Sequence, residues 1–89
     1  MPIAQAQIDK IIRIAQIYGA TKLILFGSSL ERAQSSRDID LACDGVPGWK
    51  LYELAARIEE ELECPLGIIP LRPPTSFTRR IEKKGMILI

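Results

Sequence analysis

The chain has 89 residues, 47% of them hydrophobic and 26% charged, and a formal net charge of +1. That balance fits one small globular domain over residues 1–89 and carries no global field that would draw nucleic acid, so no direct nucleic-acid binding is expected. Histidine is absent, which excludes Ser-His-Asp triads, histidine general bases, histidine zinc ligands and histidine pH switches.

Apolar residues at Ile8, Ile11, Ile12 and Ala15 recur at helical spacing over Ile3 to Tyr18, which predicts a first helix with one face on the core. Ile14 and Ile17 widen this stripe; they are expected in the core, with contact to a partner as the alternative. Gly19 is the stop, the residue type that takes a left-handed cap most easily. Lys22 to Phe26 is a short apolar run between glycines, the pattern of a buried strand. Ser28-Ser29-Leu30-Glu31 matches a capping box and predicts a short helix ending in Gln34-Ser35-Ser36. Ile39 to Ala42 resumes as strand, with Ile39 and Leu41 facing the core and Asp38 and Asp40 facing out of it. Asp44 to Gly48 is a turn cluster.

From Trp49 to Leu62 the apolar residues Leu51, Leu54, Ala55, Ile58 and Leu62 keep the helical period, and glutamates supply the solvent face. Trp49 and Tyr52 are expected to pack at the core or its rim. Pro65 to Leu71 reads as a third strand, with Pro70 marking its exit or a sheet edge. Strand, helix and strand in this order predict a parallel crossover. Thr75 or Ser76 caps a last helix running through Lys84, Gly85 ends it, and Met86 to Ile89 forms a short closing strand. The expected fold class is α/β (α+β): a small mixed sheet flanked by helices.

Cys43 and Cys64 have no metal-ligand spacing and read as buried thiols of a reduced protein. No apolar run approaches the roughly 18 residues of a membrane span, and the N-terminus carries no signal-peptide core, so the expected location is cytoplasmic.

The chemistry concentrates between Leu23 and Cys43. An apolar strand runs into Gly27-Ser28-Ser29, and a second strand carries Asp38 and Asp40. Alternate strand residues share a face, so the two carboxylates should aim the same way. Neighbouring acids are costly unless a cation lies between them, and the usual one is divalent. A Gly-Ser turn before a helix start offers free backbone N–H groups that suit a phosphate. Metal and phosphate in one supersecondary unit read as nucleotide chemistry.

Gly-Ser between strand and helix, followed after nine residues (Ser29 to Arg37) by Asp-x-Asp on a strand, resembles the signature of the DNA polymerase beta-like nucleotidyltransferases in their shortest form, the minimal nucleotidyltransferases. The resemblance takes in "LFGS", "DIDLA", the amphipathic helix and the closing "RRIEKKGMILI". It implies the nucleotidyltransferase fold and transfer of a nucleotide from ATP, or another nucleoside triphosphate, to an acceptor hydroxyl. Gly27, Ser28 and Ser29 would hold the triphosphate, and Asp38 and Asp40 would hold Mg²⁺ and serve as the catalytic carboxylates.

One departure bears on activity. Active members carry a third carboxylate on the next strand, in a pattern like Val-Asp-Leu-Val-Asp-Leu. Laid on Leu66 to Leu71, the expected acid falls on Gly67 and the second on Pro70. Loss of one such group lowers a rate by about 10²–10⁴-fold. Glu31 and Arg32 also stand where the family often has Arg and Gly. Arg79, Arg80, Lys83 and Lys84 on the last helix read as a solvated basic face, with contact to nucleotide phosphates or an acidic partner as the alternative. Small members of the family are commonly antitoxins paired with a helical HEPN-domain ribonuclease, and some transfer AMP to a hydroxyl of that toxin. The resemblance therefore implies a HEPN partner. The competing reading is a degenerate module that neutralises its partner by contact alone. A homo-oligomer is left open by the sequence.

Overall fold

A computed structural model describes residues 5–27 and 39–89. The elements are helix α1 (Gln5–Ile17), strand β1 (Lys22–Phe26), strand β2 (Ile39–Asp44), helix α2 (Gly48–Leu62), strand β3 (Leu66–Pro70), helix α3 (Ser76–Lys84) and strand β4 (Met86–Ile87). The short helix expected after Ser28 lies outside the described residues.

The strands form one mixed sheet in the order β3-β2-β1-β4. β1 pairs antiparallel with β2 and with β4, and β2 pairs parallel with β3 through the α2 crossover. Pro70 sits at the end of β3, an edge strand, where a missing backbone donor disturbs no ladder. Leu23, Leu25, Ile39, Leu41 and Cys43 point to one side and are buried with Ile11, Ala15, Leu51, Leu54 and Ile58 of α1 and α2. Period two on the strands meets period 3.6 on the helices, and burial of this apolar area is the main stabilising term. The opposite side carries a smaller cluster, Ile24, Ala42, Leu71 and Ile81, covered by α3.

Local signals account for the helix ends. Thr75 caps α3 reciprocally: its hydroxyl accepts from the Thr78 N–H at 3.1 Å, and its own N–H donates to the Thr78 hydroxyl at 2.8 Å. This satisfies two donors that the first turn would otherwise leave unpaired. Gly85 closes α3 with its N–H on the Ile81 carbonyl and seats against β1, where an added Cβ would collide with Ile24. An ion pair between Lys22 and Glu82, 2.8 Å, ties β1 to α3.

Two packing expectations are corrected. Ile14 is buried as expected, but Ile17 is 75% exposed at the end of α1, where it borders an open recess with Lys50 and Arg57 of α2. Trp49 and Tyr52, placed by sequence at the core or its rim, are 74% and 84% exposed. Leu51, Leu54 and Ile58 already fill the side of α2 that meets the core, and Tyr52 borders an open recess between α2 and β3. Among the described residues no helix is long and apolar enough to cross a membrane.

Cys43 and Cys64 are free thiols, Cys43 buried and Cys64 half-buried. Burial, with the Asp44 carboxylate adding to it, pushes the Cys43 thiol up to about 11. The thiolate is the reactive species, so Cys43 stays protonated and inert near neutral pH. Iodoacetamide added to the native protein at about pH 8 should label Cys64 first, and Cys43 only after denaturation. Peptide mass spectrometry reads the order directly.

Candidate functional site

The strand register assembles one end of the sheet. Phe26, the last residue of β1, lies opposite Asp40 near the start of β2, and Asp40 lies beside Gly67 of β3. Directly paired residues share a sheet face. Asp40 and Gly67 therefore stand on the α3 side, in line with Ile24, Ala42 and Ile69. The alternation read from the sequence holds here: Ile39 and Leu41 enter the main core and Asp40 turns away from it, half-buried.

Gly27 follows Phe26 and closes onto Asp40. Its φ is +79°, and a Cβ built there would stand 2.6 Å from Asp40 Oδ2. Both facts require glycine, since an L-residue at that φ is strained and its side chain would occupy the place of the carboxylate. The turn that follows β1 and the acid on β2 are thus in direct contact. Ser28, Ser29 and Asp38, expected from the sequence to complete the triphosphate and metal contacts, lie outside the described residues.

Gly67 is exposed, and a Cβ built on it would lie 3.7 Å from Asp40 Oδ1. A side chain at this position would reach the Asp40 carboxylate without displacing anything. Gly67 is therefore the place in the sheet where a further acid would stand beside Asp40, and the chain has none there. Glu59 does not replace it: its carboxylate accepts the Leu66 N–H at 3.1 Å. Among the described residues no three His, Cys, Asp or Glu side chains group as a metal site.

The basic face of α3 divides in two. Arg79 faces a recess with Lys22, Asp44 and Arg72, where Arg72 pairs with Asp44 at 3.3 Å. Arg80 and Lys84 instead line a cavity of about 160 Å³ together with Phe26, Gly27 and Phe77. The Phe77 ring meets Phe26 edge-on, centroids 5.9 Å apart. All four basic side chains are exposed, as a solvated face requires, yet two of them border the Gly27 turn. The spacing Phe77, Arg80, Ile81, Lys84 marks one helix face in the sequence. Only the packing of α3 on β1 shows that this face meets Gly27.

No family model matches the chain, and no curated protein matches it. Solved structures do. The chain resembles one in the crystal structure of the toxin–antitoxin MntA-HepT, at 22% identity and a TM-score of 0.74, covering 97% of this chain and 72% of that one. A second is a tri-AMPylated HEPN toxin of Shewanella oneidensis in complex with MNT antitoxin: 22% identity, TM-score 0.75, 100% of this chain and 72% of that one. A third is a toxin–antitoxin with AMP-PNP: 22% identity, TM-score 0.78, 92% of this chain and 72% of that one. The class that fold and motifs define is the nucleotidyltransferase fold. Within it, the fold is like that of the MntA and MNT antitoxin chains in these structures.

Gly27→Ala should destabilise the protein by about 1–3 kcal/mol, combining a left-handed φ with a blocked carboxylate. In an Asp40→Ala background the collision with Oδ2 is gone, so the cost should fall by roughly 1 kcal/mol, measured as a double-mutant cycle in urea.

Proposed function

We propose that this chain is the nucleotide-binding antitoxin of a pair whose partner is a helical HEPN-domain toxin, and that its own AMP-transfer chemistry is weak. The observation that carries the reading is the contact between the Gly27 turn and Asp40 within a sheet shared with MNT antitoxins. Two solved neighbours bear on nucleotide chemistry by their contents, AMP-PNP in one and an AMPylated toxin in the other. A cytoplasmic location fits such a pair.

The residues suit Mg²⁺. Carboxylate oxygens are hard donors, and Mg²⁺ is usually held by one or two carboxylates together with substrate phosphates rather than by an all-protein cage. Asp40, with Asp38 two residues before it, would supply those carboxylates beside the turn where Gly27, Ser28 and Ser29 hold the triphosphate. When bound, Mg²⁺ would supply positive charge against the phosphates as negative charge develops. Backbone N–H groups of a Gly-Ser turn would suit those phosphates. In AMP transfer, an acceptor oxygen bonds to the α-phosphorus, the bond to the β-phosphate oxygen breaks, and pyrophosphate leaves. The acceptor proton then needs a base. A carboxylate at position 67 would stand beside Asp40 for that task, and Gly67 has none.

Gly67 also favours a second reading, neutralisation of the toxin by binding alone. Titration calorimetry with ATP and Mg²⁺ tests the shared premise. Wild type should bind, and Asp38→Ala/Asp40→Ala should weaken binding in Mg²⁺ by no more than about tenfold; absence of binding in wild type would overturn nucleotide binding. Label transfer from ATP to a co-expressed HEPN partner separates the two readings. Wild type should transfer slowly or not at all, and Gly67→Asp should raise the rate by about 10²–10⁴-fold if the missing acid is what limits it. Fast transfer by wild type would show that another group supplies the base.

A further inference from the structure

The cavity beside Gly27 carries two cations that the metal-binding scheme does not use. Arg80 and Lys84 are one helical turn apart, exposed, and line the same wall. Among the described residues neither joins an ion pair, whereas Lys22 and Arg72 are held by Glu82 and Asp44. The one acid of α3, Glu82, is thereby engaged away from the cavity. Gly27 lies between two opposite charges, with the Asp40 carboxylate against its α-carbon and the two cations across the cavity.

Charge decides what this arrangement does. A triphosphate placed against several carboxylates is repelled unless a cation intervenes, so a site rich in acids binds nucleotide only with its metal. Here Gly67 removes one negative charge next to Asp40, and Arg80 and Lys84 bring two positive ones to the other side of the turn. Arginine offers a planar fork that matches phosphate oxygens, and lysine a compact charge. Phe77, 55% exposed and braced by Phe26, adds an apolar wall.

We propose that Arg80 and Lys84 form a phosphate-binding wall that lets this protein hold a nucleoside triphosphate without a divalent metal. This rests on the nucleotide-binding reading above. It makes the chain's own side chains, rather than a third carboxylate and its ion, the main counter-charge for the phosphates.

The experiment is calorimetry of the full chain with ATP, once with Mg²⁺ and once with EDTA. Wild type should bind in both, with dissociation constants within about tenfold of each other. Arg80→Gln/Lys84→Gln keeps the aliphatic stems and the fold, checked by melting temperature, and should weaken binding in EDTA by about a hundredfold, roughly tenfold per charged contact. Arg79→Gln/Lys83→Gln makes the same change in net charge away from the cavity and should alter binding by less than about threefold. ATP binding that vanishes in EDTA would overturn this proposal and leave the metal-dependent reading standing. No binding under either condition would overturn both. Equal losses in the two double variants would reduce Arg80 and Lys84 to a general surface field and overturn the assigned wall.

Discussion

The register between β1, β2 and β3 is the constraint on which the site depends. Strand side chains alternate with a period of two, so a slip of one residue would carry Asp40 into the main core and Leu41 out of it. That slip is opposed by the whole apolar set of β2, Ile39, Leu41 and Cys43, buried against α1 and α2. Core packing thus holds a carboxylate at one end of the sheet, opposite Phe26 and beside Gly67. The chemistry of the site is positioned by hydrophobic residues that take no part in it.

Glycine acts at this end of the sheet in two different ways. At Gly27 the absence of a side chain is needed, because the backbone turns through a left-handed φ with Asp40 against it. At Gly67 nothing structural calls for it: the position is exposed and has room for a Cβ. Residues that the fold does not require speak more directly about chemistry, and an uncrowded glycine beside Asp40 marks a site that does without a third acid. The two cations of α3, Arg80 and Lys84, stand on the other side of Gly27.

Much of the fold was legible in the sequence because its signals are local. The run Lys22 to Phe26, the stripe of α2, the Thr75 cap and the closing segment Met86–Ile87 all appear where spacing and turn residues place them. Errors came where exposure depends on a neighbour that local spacing does not report. Ile17 borders an open recess with Lys50 and Arg57 of α2, and Trp49 and Tyr52 stay exposed because Leu51, Leu54 and Ile58 already fill the side of α2 that meets the core.

The division for the candidate site follows the same physics. Gly27 and Asp40 could be picked out from the chain alone, since a glycine turn and a strand alternation each constrain only a few neighbouring residues, whereas the missing acid at Gly67 was legible only through the resemblance to the minimal nucleotidyltransferases. The contact of Gly27 with Asp40 and the meeting of Arg80 and Lys84 with that turn could not. The first comes from the pairing of β1 with β2; the second joins segments up to 57 residues apart, Gly27 to Lys84, and arises only when α3 folds back over Ile24 and Ala42 and β4 pairs with β1. Sequence determined which residues could carry the chemistry; the packing of the last helix decided which charges face it.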